Sequence, residues 1–427
     1  MLFRITFILC FVVSAAHAQK IDRLIKEKNI RRIETTLAAD DMAGRKPGTA
    51  GIEKAATFIA AEFKNAKLEK WAGSETYLQH FSMYSFVTET AEVEMNGSKL
   101  DEKNFHIITA QELLNWDNNT AVEKLSIKAG DNPSGVLSNV FGASGNVLVV
   151  MDTSHRNVFN RVKRYRPERM SKEGALVFVL SADAAGEFKI SAKNKVTEKK
   201  FFNVVGIIPG KSRPDEYVIF SAHYDHLGIG KPNAEQDSIF NGANDDASGT
   251  TAVIALARYF KKIKQNERTL VFAAFTAEES GGFGSQYFSK QFDPGKVMAM
   301  FNIEMIGTDS KWGKNSAYIT GYEKTDMGKI MQQNLEGTGF LFQPDPYPDQ
   351  QLFYRSDNAT LARLGVPAHT ISTSKMDSEK YYHTQDDEAE TLDLKNMTEI
   401  IKAIALSSRS IVAGKDTPGR VNTGELR

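Results

Sequence analysis

Residues 217–222 read YVIFSA, residues 250–264 read TTAVIALARYFKKIK, and residues 269–275 read TLVFAAF. The first and third runs are almost continuously apolar, and the run between them has a helical pattern. Apolar strands that alternate with amphipathic helices are typical of a mostly parallel sheet covered on both faces. Sites in such sheets form where strands end at the carboxyl edge. Polar residues that follow these strands are therefore the first candidates for function.

The same alternation continues along the second half of the chain, and two helical segments precede it. Further strands are predicted at 203–208, 297–303, 317–320 and 367–371, and helices at 20–37, 50–66, 285–291, 325–335, 359–364 and 394–412. The predicted fold class is α/β, with a mostly parallel (mixed) sheet sandwiched between helices.

Residues 89–199 have a different character, with frequent Asn and Gly and short apolar runs. Two of these runs, NVLVVM at 146–151 and ALVFVL at 175–180, predict buried strands. We therefore expect a smaller domain, or lid, inserted into a main domain built from residues 19–88 and 200–427.

The composition excludes several classes of protein. The 427 residues contain 53 Lys+Arg and 53 Asp+Glu, so the formal net charge is +0. A neutral chain lacks the basic excess that phosphate binding needs, so no nucleic-acid partner is expected. Hydrophobic content of 41% and charged content of 25% are ordinary for a globular protein and exclude wholesale disorder.

The N-terminus predicts a cleavable signal peptide over residues 1–18. Arg4 precedes an apolar run, and Ala16-His17-Ala18 fits a small-x-small cleavage site. The run is too short for a stable membrane anchor, so a secreted or periplasmic protein without a membrane span is expected. Cys10 is the only cysteine. The mature protein would have none, which leaves nitrogen and oxygen ligands for any metal.

Two polar pairs follow the first strands of the α/β region. His223 and Asp225 are two residues apart, so on an extended backbone they share a face. A metal-bound imidazole needs a partner for its other nitrogen, and a carboxylate is a common one; an ordinary surface pair is the alternative. Asp245 and Asp246 lie in a Gly-flanked loop before a helix. They could cap the helix, but a carboxylate there could also bridge two cations.

Four more residues complete the set of candidates. Glu278 and Glu279 follow the strand at 269–275, and cations would relieve their mutual repulsion. One could bind metal while the other acts as a general base. Glu304 ends an apolar run, where unpaired acids are rare. His383 supplies a second imidazole. The alternatives are a solvated loop for the two glutamates, an exposed residue just past the strand for Glu304, and a partly solvated acidic loop around His383.

In this order, the motifs resemble those of the M28 family of zinc exopeptidases, the co-catalytic aminopeptidase and glutamate carboxypeptidase group. The matching stretches are Ser221–Gly228, Gly242–Gly249, Ala274–Gly281, Asn302–Gly307 and Tyr382–Asp387. The segment from Asp41 to Phe63 is similar, more weakly, to the opening of secreted bacterial members.

The resemblance implies two Zn²⁺ ions and peptide substrates, with an aminopeptidase favoured over a carboxypeptidase. His223 and Glu304 would bind the first zinc, Glu279 and His383 the second, and Asp245 both.

The resemblance also implies roles for residues that bind no metal. Glu278 would be the general base, Asp225 would orient His223, and Tyr382 would hydrogen-bond the tetrahedral intermediate. The insert resembles a protease-associated domain, although an unrelated lid is an open alternative.

One position departs from the family pattern, because Glu304 stands where an Asp is usual. Glu is a competent zinc ligand, but its extra methylene is expected to displace the first zinc or weaken its binding. Asp309 is a nearby substitute outside the motif. Two alternative functions stay open: a single-zinc enzyme like glutaminyl cyclase, and a non-catalytic binding ectodomain on the same fold.

Overall fold

The computed structural model describes residues 21–426 except 72, 166, 167 and 183–185. The predicted signal peptide lies outside the described residues. The described chain divides into two compact units, one formed by residues 21–80 and 202–426, the other by residues 81–201. The predicted insert, residues 89–199, falls within the second unit. Its resemblance to a protease-associated domain stays a prediction.

The strands are numbered in chain order. They are β1 (Glu69–Lys70), β2 (Leu78–Met95), β3 (Ser98–Lys99), β4 (Phe105–Ile108), β5 (Leu113–Trp116), β6 (Glu123–Ile127), β7 (Asn146–Met151), β8 (Ala175–Leu180), β9 (Phe188–Ile208), β10 (Arg213–His223), β11 (Gly228–Ile229), β12 (Ile239–Phe240), β13 (Arg268–Phe275), β14 (Val297–Ile303), β15 (Ser316–Ile319), β16 (Leu341–Pro344) and β17 (Ala368–Ser372).

The helices follow the same convention. They are α1 (Glu27–Leu37), α2 (Ala50–Asn65), α3 (Ser134–Phe141), α4 (Arg156–Arg164), α5 (Ser248–Ile263), α6 (Phe283–Ser289), α7 (Met327–Gln333), α8 (Asn358–Ala362), α9 (Leu394–Ser407) and α10 (Arg409–Val412). Within the described ranges, none of the helices combines the length and the apolar character that a membrane crossing requires.

The first unit contains a mixed sheet in which neighbouring strands are mostly parallel. Its strand order is β16-β15-β17-β14-β10-β13-β9. The parallel pairs are β10 with β13, β10 with β14, β14 with β17, and β15 with β16. The antiparallel pairs are β9 with β13 and β15 with β17. The predicted fold class is confirmed.

Alternation along β10 explains why helices cover both faces of this sheet. Phe220 points into a core shared with α2, α5 and α9, and its ring stacks on Phe272 at 5.5 Å and on Phe301 at 5.0 Å. Ile219 points to the opposite face, into a core shared with α6 and α8. Because successive side chains alternate between faces, both faces of a central strand must be apolar, which produces the unbroken run at 217–222.

The second unit is built on a smaller sheet with the order β4-β8-β7-β6. β7 is parallel to β6 and β8, while β4 is antiparallel to β8. Phe159 of α4 and Val140 of α3 pack on one face of this sheet. Residues of β2, β5 and β9 cover the other face. Both apolar runs that predicted strands here, at 146–151 and 175–180, are strands.

A buried carboxyl in the first unit makes the stability of the fold depend on pH. Glu34 of α1 has no exposed surface, and its Oε2 accepts a hydrogen bond from Thr251 of α5 at 2.7 Å. Burial raises the pKa of Glu34 from 4.5 to about 8. Between these values the unfolded chain has lost this proton while the folded chain keeps it, so stability falls as pH rises.

We expect the Glu34→Gln variant to lose this dependence, because Gln can accept the same hydrogen bond without ionising. One proton corresponds to a slope of at most about 1.4 kcal/mol per pH unit. Denaturant unfolding of both proteins from pH 5 to pH 8 measures it, and the difference between them isolates Glu34 from other titrating groups. Parallel stability curves would contradict the prediction.

Candidate metal centre

The candidate residues of the first unit gather where three adjacent strands end. β10 ends at His223, which pairs with Phe275, the last residue of β13. Glu278 and Glu279 follow β13, and Glu304 follows the end of β14 on the other side of β10. Parallel pairing therefore brings together acids and an imidazole that are up to 81 residues apart in sequence.

The turns that carry these side chains contain backbone conformations that are unusual for residues other than glycine. Ala277, just before Glu278, has a φ of 59°, Met305, just after Glu304, has a φ of 50°, and His383 itself has a φ of 56°. Such conformations cost energy and cluster at functional sites.

One group of possible metal ligands consists of His223, Asp245 and Glu304. His223 Nε2 lies 3.2 Å from Asp245 Oδ1 and 3.2 Å from Glu304 Oε1. His223 and Asp245 are buried, with 1% and 2% of their surfaces exposed.

A second group of possible ligands consists of His226, Asp245 and Glu279, and His383 borders the same carboxylates. His383 Nε2 lies 3.3 Å from Asp245 Oδ2 and 3.2 Å from Glu279 Oε2. Each oxygen of the Asp245 carboxylate therefore faces a different imidazole. The five residues predicted as metal ligands are brought together in two adjoining groups.

The separations suit a divalent cation in each group. Tetrahedral coordination with bonds of about 2.0–2.1 Å separates neighbouring ligand atoms by about 3.3 Å. Within the described part of the chain, the buried atoms His383 Nε2 and Glu279 Oε1 have no hydrogen-bond partner. Carboxylates packed this closely also need positive charge. Donor type, spacing and unsatisfied polar atoms all fit bound metal.

The two acids at 245 and 246 have different surroundings. Asp246 is fully buried, and its carboxylate accepts backbone N–H groups of His223 at 3.2 Å, Gly249 at 3.0 Å and Met305 at 3.1 Å. Asp246 thereby ties β10, α5 and the end of β14 together. Asp245 keeps both oxygens free for the two ligand groups, which agrees with its predicted bridging position.

The loop before α5 is held from two further sides. Asp387 accepts the backbone N–H of Asn244 at 2.8 Å and that of Asp245 at 3.0 Å. The buried guanidinium of Arg45 donates to the carbonyl oxygens of Tyr224 and Gly242, both at 2.8 Å. The Arg45 segment, which resembled the family only weakly, thus supports the loop that presents Asp245.

Asp225 contacts both its predicted partner and the loop that follows β13. His223 Nδ1 lies 3.1 Å from the backbone carbonyl oxygen of Asp225 and 3.7 Å from its carboxylate oxygen. That carboxylate oxygen instead accepts the backbone N–H of Glu278 at 3.1 Å. The His223 ring is therefore fixed by a hydrogen bond to the backbone carbonyl oxygen of Asp225, while the Asp225 side chain positions Glu278.

Glu278 lies in the wall of a cavity beside the ligand groups. The cavity is lined by acids and by apolar side chains, including Asp245, Glu278, Glu279, Glu304, Met305, Tyr318, Leu352 and Tyr382. Burial raises the pKa of Glu278 well above its ordinary value, and the negative charge of Glu304 raises it further against the opposing effect of His223. Glu278 is thus a carboxyl with a strong tendency to hold a proton.

The electrostatics of the ligand atoms differ from those of Glu278. Burial opposes ionisation of Asp245, but the nearby imidazoles of His223 and His383 outweigh it, so the pKa of Asp245 is lowered. The nearby carboxylates of Asp245 and Glu279 raise the pKa of His383 to about 10. The cluster therefore stabilises an anionic Asp245 and attracts positive charge.

Sequence reasoning missed His226. Its ring is buried, with Nδ1 2.9 Å from Glu279 Oε1 and its centroid 5.7 Å from that of His383. Within the described residues neither of these two atoms has a hydrogen-bond partner, and with Asp245 they form a possible set of metal ligands. The only signal in the sequence was its place in the run His223-Tyr224-Asp225-His226.

Asp309 takes no part in either ligand group, since it forms an ion pair with Lys375 at 2.8 Å. The predicted substitute for Glu304 is therefore engaged elsewhere. Tyr382 stacks on the His383 ring, with centroids 3.9 Å apart, and its side chain contributes to the cavity wall.

Comparison with known proteins identifies relatives over the region that contains the candidate ligands. The model of Peptidase family M28 matches residues 203–407. These residues belong to peptidase family M28. The matched region contains all five of the predicted ligands. A relative from Trichophyton verrucosum, named "Probable leucine aminopeptidase", is 30% identical over 209 residues, which is 47% of this chain and 54% of the relative. The chain thus spans about half the length of the curated relatives it matches.

Solved structures share the fold over most of this chain. A zinc aminopeptidase from Bacillus subtilis has a TM-score of 0.55 at 17% identity, covering 92% of this chain and 97% of that one. Glutaminyl cyclase from Porphyromonas gingivalis has a TM-score of 0.50 at 13% identity, covering 91% and 99%. At these identities the likeness concerns the fold alone, so it does not separate the two activities.

Proposed function

We propose that this M28 protein is a zinc-dependent aminopeptidase with two zinc ions. His223, Asp245 and Glu304 would hold one ion, and Asp245, Glu279 and His383 the other. The observation that carries the proposal is the Asp245 carboxylate, whose two oxygens lie 3.2 Å and 3.3 Å from two different imidazoles. This arrangement suits a ligand shared between two cations.

Different side chains around the cavity would carry out different steps of peptide hydrolysis. Zinc, when bound, supplies Lewis acidity to the attacking water and to the scissile carbonyl. Glu278 accepts the proton of that water on its carboxylate and then donates it to the departing amine. The Asp225 carboxylate, which accepts the backbone N–H of Glu278 at 3.1 Å, would position Glu278 for both transfers. Tyr382, which stacks on His383, would donate a hydrogen bond to the oxyanion.

The aminopeptidase assignment rests on the names of relatives and structural neighbours. Arg355, an exposed cavity residue, donates to Gln350 at 3.4 Å. A guanidinium there could instead hold a substrate carboxylate, as a carboxypeptidase requires. The terminus that is recognised therefore forms part of the test below.

A glutaminyl-cyclase-like function is the second candidate, favoured by the shared fold with the Porphyromonas gingivalis enzyme. The resemblance associates that activity with one zinc rather than two. The two ligand groups around Asp245 favour the hydrolase over this alternative.

A substrate panel tests the proposal. We expect cleavage of aminoacyl-anilides and of dipeptides with a free amine, no cleavage of N-blocked peptides, and loss of activity with a chelator that zinc restores. Preference for C-terminally free, N-blocked peptides would indicate a carboxypeptidase. Cyclisation of N-terminal Gln without hydrolysis would favour the second candidate, and zinc-loaded protein inactive on the whole panel would favour a binding ectodomain.

A further inference from the structure

The two oxygens of the Glu304 carboxylate have different partners. Oε1 lies 3.2 Å from His223 Nε2, within the first ligand group. Oε2 accepts a hydrogen bond from Ser356 Oγ at 2.7 Å. Ser356 follows the short turn before α8 and is half-buried. A carboxylate held this way turns Oε1, rather than Oε2, toward a cation beside His223.

The direction of the Ser356 hydroxyl follows from a chain of hydrogen bonds that begins at backbone carbonyls. Asn358 faces the carbonyl oxygens of Phe353 and Ala368 at 3.0 Å and 3.3 Å, so this side of its amide must be Nδ2. Its Oδ1 therefore accepts the proton of Thr370 Oγ1 at 2.8 Å.

The same reasoning assigns donor and acceptor roles to the next residues of this hydrogen-bond network. With its proton committed to Asn358, Thr370 Oγ1 accepts from Asn302 Nδ2 at 3.1 Å. Asn302 Nδ2 also donates to Ser356 Oγ at 2.7 Å, while Asn302 Oδ1 accepts from Ser221 at 2.8 Å. Ser356 Oγ is thus an acceptor toward Asn302, which directs its own proton to Glu304.

We propose that Ser356 is a positioning residue that holds Glu304 in single-oxygen coordination of the first zinc. The inference rests on the proposed metal centre. Glutamate has one more rotatable bond than the aspartate usual at this position, so an unheld carboxylate could swing away or bind through both oxygens. The hydroxyl removes that freedom and keeps Oε1 beside His223. Residues that orient metal ligands typically contribute 10–100-fold to metal affinity.

Zinc release measures this role without any substrate. We expect the Ser356→Ala variant to release one of its two zinc ions about 10–100-fold faster to a colorimetric chelator, with the other ion released at the parent rate. Ser356→Thr keeps the hydroxyl and should restore the parent rate. Ser289→Ala is the matched control, because Ser289 Oγ bonds Thr360 Oγ1 at 2.7 Å away from the ligands; it should release both ions at the parent rate.

A double-variant cycle separates positioning from a general structural effect. Glu304→Asp shortens the side chain, so the Ser356 hydroxyl no longer reaches the carboxylate. Ser356→Ala should then change zinc release little or not at all in the Glu304→Asp background. An equal effect of Ser356→Ala in both backgrounds would overturn the inference, as would parent-like release from Ser356→Ala itself.

The outcome is distinguishable from failure of the proposed function. A protein that shows the predicted release rates but cleaves no peptide would leave Ser356 in its positioning role and refute the peptidase. Active, two-zinc protein whose Ser356→Ala variant releases zinc normally would refute the inference alone. Parent protein that binds no zinc would refute both.

Discussion

Glu278→Gln should lower the rate of peptide hydrolysis by about 10²–10⁴-fold while zinc content stays at the parent value. Gln has nearly the same shape and can fill the same space in the cavity wall, but its amide cannot accept and return a proton. None of the atoms in the two ligand groups changes. The measurements are kcat for an aminoacyl-anilide and metal content by mass spectrometry.

Glu34→Gln is the matched control, because it makes the same chemical change at another buried glutamate with a raised pKa. Glu34 does not line the cavity, so hydrolysis should stay close to the parent rate. If Glu278→Gln cleaved substrate at the parent rate with full zinc content, Glu278 would not be the general base.

Asp245→Ala should remove both zinc ions, whereas His383→Ala should remove one. The Asp245 carboxylate contributes one oxygen to each ligand group, so its loss leaves both groups incomplete. His383 belongs to one group only, and the ligand group around His223 stays complete without it. Metal content per chain, measured after dialysis against buffer with trace zinc, gives the three values.

His369→Asn provides the control for losing a buried imidazole. His369 is 1% exposed and bonds Thr320 and Thr325 rather than any predicted ligand, so this variant should keep two ions. Equal zinc content in the Asp245→Ala and His383→Ala variants would contradict the bridging position of Asp245.

The architecture could be predicted because its signal is local. A strand covered on both faces must be apolar at nearly every position, and the sequences of β10, β13 and β14 contain such continuous apolar runs. β16, Leu341–Pro344, was not predicted. Its four residues are exposed, buried, half-buried and exposed in turn, so this edge strand has no continuous apolar run. The predicted helix at 394–412 is divided at Ser408 into α9 and α10, within a continuous helical pattern that gave no sign of the break.

The candidate ligands could be named from the sequence because each lies in a recognisable motif, four of them at a strand end or before a helix. Residues that act through them could not. Ser356 contacts Glu304 through one hydrogen bond, and His226 Nδ1 lies 2.9 Å from Glu279 Oε1. The sequence around neither residue distinguishes it from other serines and histidines. The partner of the His223 Nδ1 atom is a backbone carbonyl, which carries no sequence signal at all.

The amino-acid sequence by itself determined the α/β architecture, the carboxyl edge as the place of the site, and the identity of five residues with metal-binding atoms. Only the tertiary structure decided which oxygen of each carboxylate faces which imidazole. The reason is physical: burial patterns are set by residue type and order along one strand. The orientation of a carboxylate is set by donors such as Ser356 and Gly249, which approach it from elements distant in the chain.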